Sequence, residues 1–185
     1  MVMAVDFDCI HRLEARRVLS GYVLEPELSD SGVTIASGVD LGQRDERSLR
    51  RLAISDELRD KLRPYLGLRK HDAVGFLERR PLDITEHEAA ELDVAIKQLM
   101  VGSLISKFDA ASPVPFEQLE SQKQTIIASV AFQYGTGLQS AAPNFWSQIM
   151  TGDWAGVLAN LQNYGDDYPT RRNTERYLLA EVIEV

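Results

Sequence analysis

The chain of 185 residues has a single cysteine, Cys9, so no disulfide can form within it. A domain of this length buries roughly 70% of its unfolded surface and needs no covalent staple. Cys9 reads as a small apolar filler on the first helix. A nucleophilic thiol would want a basic partner, and His11, two positions on, does not share its helix face. Histidine is also scarce: His11, His71 and His87 show no ligand spacing, so neither a metal nor another cofactor is implied. Excess positive charge is missing, with 20 Lys and Arg against 28 Asp and Glu and a net charge of -8. Nucleic acid is therefore not an expected partner, and the chain is not expected to cling to anionic cell walls by charge alone. No window approaches roughly 18 uninterrupted apolar residues, so no stable membrane insertion is expected. Met1 to Asp8 carries no basic n-region, which predicts synthesis in the cytoplasm without a signal peptide. Internal repeats and low-complexity linkers are absent too, which favours one domain over residues 1–185.

What is present is a change of pattern near residue 21. From about Phe7 to Ser20 the apolar spacing predicts a helix, with Gly21 as its terminator. Between Tyr22 and Val39, turn formers (Pro26, Ser29, Asp30, Ser31, Gly32) precede Val33, Ile35 and Val39 alternating with small residues, which predicts a hairpin or small sheet. After Leu41 the chain reads as helical. Ser55 with Asp56 and Glu57 marks one helix start. A segment is expected from about Leu68 to Arg79, and Thr85 with Glu88 forms a capping box for a long helix to about Phe108. Within it Leu92, Ile96, Leu99, Leu104 and Ile105 are expected to face a core. A helix from about Phe116 to Tyr134 should end at Gly135, followed by two short helices around Trp146 and Trp154, whose rings read as core, and a last one from about Thr170 to Ile183. The fold class is therefore α+β, with a small β lobe at about 21–40, a helical lobe at about 41–185 plus the first helix, and a cleft between lobes as the expected ligand site.

Ser31 to Gln43, SGVTIASGVDLGQ, carries three glycines (Gly32, Gly38 and Gly42) that permit sharp bends or close backbone approach. Thr34 and Asp40 are the polar side chains among Val33, Ile35, Val39 and Leu41, and an acid in such a setting must be hydrogen-bonded or used. Each has a plain structural reading: Asp40 as the cap of a helix starting near Leu41, Thr34 as an ordinary strand residue. Glu14, among Arg12, Arg16 and Arg17, reads by default as part of a solvated charged face.

Taken together, three stretches resemble the phage-type lysozymes, and more closely the bacteriocin branch of that fold typified by pesticin. They are LEARRVLSGYV (Leu13 to Val23), GVTIASGVDLG (Gly32 to Gly42), and a third that begins at VAFQYGTG (Val130 to Gly137) and continues through NFWSQIMTGDWAGVLANL (Asn144 to Leu161) and YPTRRNTERYLL (Tyr168 to Leu179). They run in the family's order; only about Arg44 to Pro115 is anonymous. The resemblance implies a muramidase. Glu14 would be the proton donor; Asp40 and Thr34 would hold a water on the opposite face of the sugar. Phage-type lysozymes place the second acid before the threonine and the pesticin-like branch after it, so Asp40 is favoured and Asp30 is the runner-up, with Glu25 and Glu27 also preceding Thr34.

The resemblance further places Gln133 where it could bind an N-acetyl group, Tyr22 where it could stack on a sugar, and Arg171 or Arg172 where it could support the site electrostatically. Arg12, Arg16 and Arg17 are expected mainly on faces other than that of Glu14. Implied partners are peptidoglycan glycan strands and, for an antibacterial effector delivered to the periplasm of another cell, an immunity protein; a monomer is expected. Competing readings are a phage lysozyme or endolysin, an inactive glycan-binding module of the same fold, an all-helical interaction protein, and a hydrolase of chitin or chitosan.

Overall fold

The structure, a computed structural model, describes residues 4–14 and 17–183. Helix α1 (Phe7–Arg12) opens at Asp6, whose side chain accepts from the Cys9 amide at 2.8 Å, and it buries Cys9 and Ile10. Burial, and after it the Asp6 charge, pushes the Cys9 thiol above its ordinary range. The helix does not run on to Ser20. By Val18 the chain is already strand β1 (Val18–Val23), where branched and aromatic residues suit a pleated surface. Gly21 is thus a strand residue and not a helix terminator. Its amide donates to the Leu82 carbonyl at 2.7 Å, and a Cβ there would meet Leu82 and Val33 at 3.1 Å.

Strands β2 (Val33–Ala36) and β3 (Val39–Asp40) complete an antiparallel sheet of three strands in the order β1-β2-β3. All four residues of β2 are buried, and a register irregularity between Val18 and Tyr22 separates the two ends of the β1–β2 pairing. Short helices follow: α2 (Glu46–Arg50), held by an Asp45–Ser48 capping box, and α3 (Asp56–Leu62). Ser55 precedes α3 as expected, but its hydroxyl does not cap it. Its amide and hydroxyl donate instead to the Glu91 carboxylate, at 2.5 and 3.1 Å. Helix α4 (Lys70–Arg79) comes next, then α5 (Glu86–Ala111), opened by the expected capping box: Glu88 accepts from the Thr85 amide at 2.7 Å, and Thr85 Oγ1 accepts from the Glu88 amide at 3.2 Å.

In α5, Leu92 and Leu104 are buried and Ile96 and Ile105 partly so, but Leu99 is 36% exposed. The buried stripe of its second half runs Val101, Leu104, Phe108, and one helical step back from Val101 is Lys97, not Leu99. After α5 come α6 (Ser121–Tyr134), ended at Gly135 with φ 80, then α7 (Leu138–Ala141), α8 (Pro143–Thr151), α9 (Trp154–Gln162) and α10 (Pro169–Ala180).

The chain forms two compact units: residues 15–99, and residues 1–14 with 100–185. The first gathers the sheet, α2 to α4 and the start of α5 around Val33, Ile35, Leu41, Leu58, Leu62 and Tyr65. The second packs α1, the end of α5 and α6 to α10 around Ile10, Phe108, Phe116, Ile127, Phe145 and Trp146. Trp146 is buried there, with Phe108 edge-on at 6.3 Å, whereas Trp154 is half-buried and lies under the Lys123 ammonium at 4.7 Å. No helix among the described residues is long and apolar enough to cross a membrane.

Candidate active site

Thr34 is paired with Tyr22 across β1 and β2, and with Asp40 across β2 and β3. Directly opposed residues of antiparallel strands share a face. Tyr22, Thr34 and Asp40 therefore form one row across the sheet, with Thr34 buried and its two neighbours half-buried.

Asp40 also caps the turn that follows it. Its Oδ1 accepts from the amides of Gly42 at 2.8 Å and Gly32 at 3.0 Å, which fixes the carboxyl in orientation. The two glycines make this possible. A Cβ on Gly42 would lie 2.5 Å from the Leu68 carbonyl and 2.6 Å from the Gly32 Cα, and one on Gly32 would be as tightly blocked. Gly42→Ala is thus expected to lower stability by about 1–3 kcal/mol, as overpacking against backbone does. Urea unfolding reads this, and an unchanged midpoint would mean that the segments separate freely.

The β2–β3 turn has Ala36 at φ 55 and Gly38 at φ 91; alanine is rare in the left-handed region. The turn is held by Asp93 of α5, 2% exposed, which accepts from the Ser37 amide (3.2 Å), the Ser37 hydroxyl (2.7 Å) and Arg17 Nε (2.7 Å). Sequence reasoning missed Asp93, because an acid in a mixed helix gives no periodic signal.

Glu14 lies just past α1, its amide donating to the His11 carbonyl at 3.1 Å. Its side chain is 17% exposed, with His11 Nδ1 3.9 Å from a carboxyl oxygen. Of the arginines near it in sequence, Arg12 is exposed, Arg17 is engaged by Asp93, and Arg16 falls outside the described residues. Asp30, the runner-up, is exposed on the β1–β2 connection with Lys70 Nζ at 3.0 Å. The bond and charge of Lys70 hold its carboxyl below the usual range. Asp30 is not in the Tyr22–Thr34–Asp40 row. Of the other acids before Thr34, Glu25 is exposed with φ 39, and Glu27 faces His71 at 3.2 Å.

In the other unit, Gln133 sits near the end of α6 and accepts through Oε1 from Arg172. Arg172, 2% exposed, also donates to Asp166 at 2.9 Å and to Glu175, and its guanidinium lies 4.4 Å from the Tyr164 ring. Arg171 does not reach Gln133. It is 7% exposed and donates to the Ser129 hydroxyl and carbonyl, both at 3.0 Å, and to Glu175. Arg172, one position on, is the arginine that orients Gln133.

Burial works to raise the Asp166 carboxyl, but bonds from Arg172 and Tyr134 outweigh it and hold it below the usual aspartate range. The Tyr134 hydroxyl, desolvated and facing Asp166, is pushed up to about 12. A depressed carboxyl contributes stability above its unfolded value, and that stability is lost as pH falls through the folded one. Acid unfolding below about pH 4 should therefore be partly abolished in Asp166→Asn, whose stability is lower but flatter with pH. Parallel acid-unfolding curves for the two proteins would contradict this.

A mainly helical fold with one small antiparallel sheet makes this an α+β protein, and its likeness to a solved lysozyme makes the fold lysozyme-like. A crystal structure of a mutant P22 lysozyme is similar over 97% of this chain and 99% of that one, with a TM-score of 0.54 and 19% identity. The sequence model of the family described as "Pesticin: Bacterial toxin homologue of phage lysozyme, C-term" matches residues 4–155, and the chain belongs to that family. A search of curated protein sequences finds no match.

Proposed function

We propose that this chain is a peptidoglycan hydrolase, a muramidase that cuts the β-1,4 bond between N-acetylmuramic acid and N-acetylglucosamine. The observation that carries the reading is the Tyr22–Thr34–Asp40 row, with Asp40 fixed by two glycine amides, in a member of the pesticin family. Glycoside hydrolysis needs an acid for the leaving oxygen and a second carboxyl for the oxocarbenium-like sugar. Glu14 is the acid. Asp40 accepts a proton from a water that the Thr34 hydroxyl orients, and a water held by both groups suits inversion at the anomeric carbon.

Tyr22, at the end of the row, offers a ring face to a sugar. With its Oε1 taken by Arg172, Gln133 has its Nε2 donors for the carbonyl of an N-acetyl group. Arg171 acts behind the surface, through Ser129 and Glu175, rather than on the sugar. The family's description as a bacterial toxin homologue supports an antibacterial effector that works, as a monomer, on the cell wall of a target cell after delivery by another system and that has an immunity protein as its inhibitor.

The test is mass spectrometry of peptidoglycan digested with the purified protein. Disaccharide muropeptides ending in reducing N-acetylmuramic acid are expected. Products ending in reducing N-acetylglucosamine would make it a glucosaminidase, and no products at all would leave the glycan-binding reading.

A further inference from the structure

The net charge of -8 is spread unevenly along the chain: residues 44–70 hold nine of the 20 Lys and Arg but five of the 28 Asp and Glu. Part of this local positive surplus is gathered on α2. Arg47, Arg50 and Arg51, all exposed, line with Glu46 a surface depression of about 760 Å³. Residues three and four apart on a helix are neighbours, so Arg47 stands beside both Arg50 and Arg51, while Leu49 is buried on the other side. Glu46 is the one acid of the lining, and it is already shared. It accepts from Arg50 Nε at 3.0 Å and from Arg63 Nε at 3.0 Å. Arg47 and Arg51 make no hydrogen bond or ion pair among the described residues. Like charges one turn apart repel. A conflict of this kind that packing does not explain marks a place of use.

The surroundings of the patch narrow the ligand. A protein partner is held through an apolar or aromatic core, a bilayer through apolar side chains that enter it, and a nucleic-acid strand through rings that stack on its bases. Between Leu41 and Tyr65 no large apolar or aromatic side chain is exposed among the described residues. A nucleic-acid duplex needs a broad basic surface, which the net charge of -8 denies it. What fits is a flexible polyanion without apolar parts, met at ranges shorter than the Debye length of about 8 Å at physiological salt. We infer that Arg47, Arg50 and Arg51 bind the phosphodiester chain of a polyol phosphate polymer attached to the wall glycan, a chain of the teichoic-acid type, and so hold the protein on its substrate. The inference rests on the hydrolase reading, which puts the protein on the wall. Each guanidinium presents a planar fork of donors that matches a phosphate. Contacts to successive phosphates of one chain reinforce one another, because the second is made within the same molecule. The α2 helix also belongs to the same compact unit as the Tyr22–Thr34–Asp40 row.

The test uses the whole chain, with purified poly(glycerol phosphate) teichoic acid as the probe. Calorimetric titration should show binding weakened about tenfold or more in Arg47→Gln/Arg51→Gln, the loss of two charge-assisted contacts. The slope of log K against log salt should shrink by about one for each arginine. Arg47→Lys/Arg51→Lys, which keeps both charges, should lose less than the glutamine variant. Arg79→Gln/Arg80→Gln removes the same charge from exposed positions at the end of α4 and should bind as the wild type does. On sacculi that carry the polymer, KM of Arg47→Gln/Arg51→Gln should rise to the value found on sacculi stripped of it by hydrofluoric acid. On the stripped sacculi this variant and the wild type should act alike. Equal binding of the polymer by the two would overturn the inference. So would an equal loss in Arg79→Gln/Arg80→Gln, which would make bulk charge the cause. Wild-type binding to duplex DNA or to phosphatidylglycerol vesicles as tight as to the polymer would overturn it in favour of a nucleic acid or a membrane. Titration needs no cutting, so the two readings can fail separately. A wild type that binds the polymer but releases no muropeptides keeps the arginine site and removes the hydrolase reading. One that cuts stripped sacculi without binding the polymer does the reverse.

Discussion

Glu14→Gln is expected to lower the rate of muropeptide release by about 10²–10⁴-fold, the range over which a positioned acid accelerates proton transfer. Glutamine keeps the size and the hydrogen-bonding capacity of the side chain but cannot deliver a proton to the leaving oxygen. The side chain is 17% exposed at the end of a short helix, so the fold should tolerate the exchange. The expected signature is a fall in kcat with KM little altered and an unchanged circular dichroism spectrum. Asp40→Asn should also reduce kcat while keeping an oxygen to accept from the Gly32 and Gly42 amides. Thr34→Ser should retain more activity than Thr34→Val, because only the hydroxyl is asked to hold the water. Proton NMR of the first-formed anomer then separates inversion from retention. Full activity in Glu14→Gln would remove Glu14 from the mechanism and reopen the choice of acid.

How much of this was legible beforehand depends on how local each signal is. The capping box at Thr85 and Glu88, the helix end at Gly135 and the hairpin around Val33 to Val39 are written within a few residues, and each was readable. The end of α1 was misplaced because Leu13, Val18 and Gly21 fit helical spacing as well as strand pairing. What decides it is the long-range packing of Gly21 against Leu82. The family segment from Gly32 to Gly42 marked Thr34 and Asp40, but not why both glycines are needed. That reason is their mutual approach and the Leu68 carbonyl, far along the chain. Asp93 lay in the stretch that carried no resemblance. Its role arises from burial and from partners far along the chain, Ser37 and Arg17. The choice between Arg171 and Arg172 is of the same kind, since adjacent residues on a helix point in different directions and only packing says which meets Gln133.

Glu175→Ala is the substitution expected to harm stability most, by about 3–5 kcal/mol, as for other buried charges deprived of their partner. Glu175 is 2% exposed on α10 and accepts from Arg171, Arg172 and the Ser129 hydroxyl of α6. Its removal leaves two buried guanidinium groups short of a counter-charge. Arg171 keeps its bonds to Ser129, and Arg172 keeps Asp166 and its stacking on Tyr164, so the loss should stop short of the whole stability of a domain. For a protein of this length the melting temperature should fall by about 10 °C. Glu175→Gln, which keeps an acceptor but not the charge, should fall between the variant and the wild type. The damage should also reach the site: Ser129 lies one helical turn before Gln133, and Arg172 binds both Gln133 and Glu175. At temperatures where Glu175→Gln remains folded, it should therefore show a higher KM for peptidoglycan, while Glu14→Gln changes kcat. A Glu175→Ala protein that melts like the wild type would mean that water replaces the carboxylate without loss, and that the cluster does not hold α6 and α10 together.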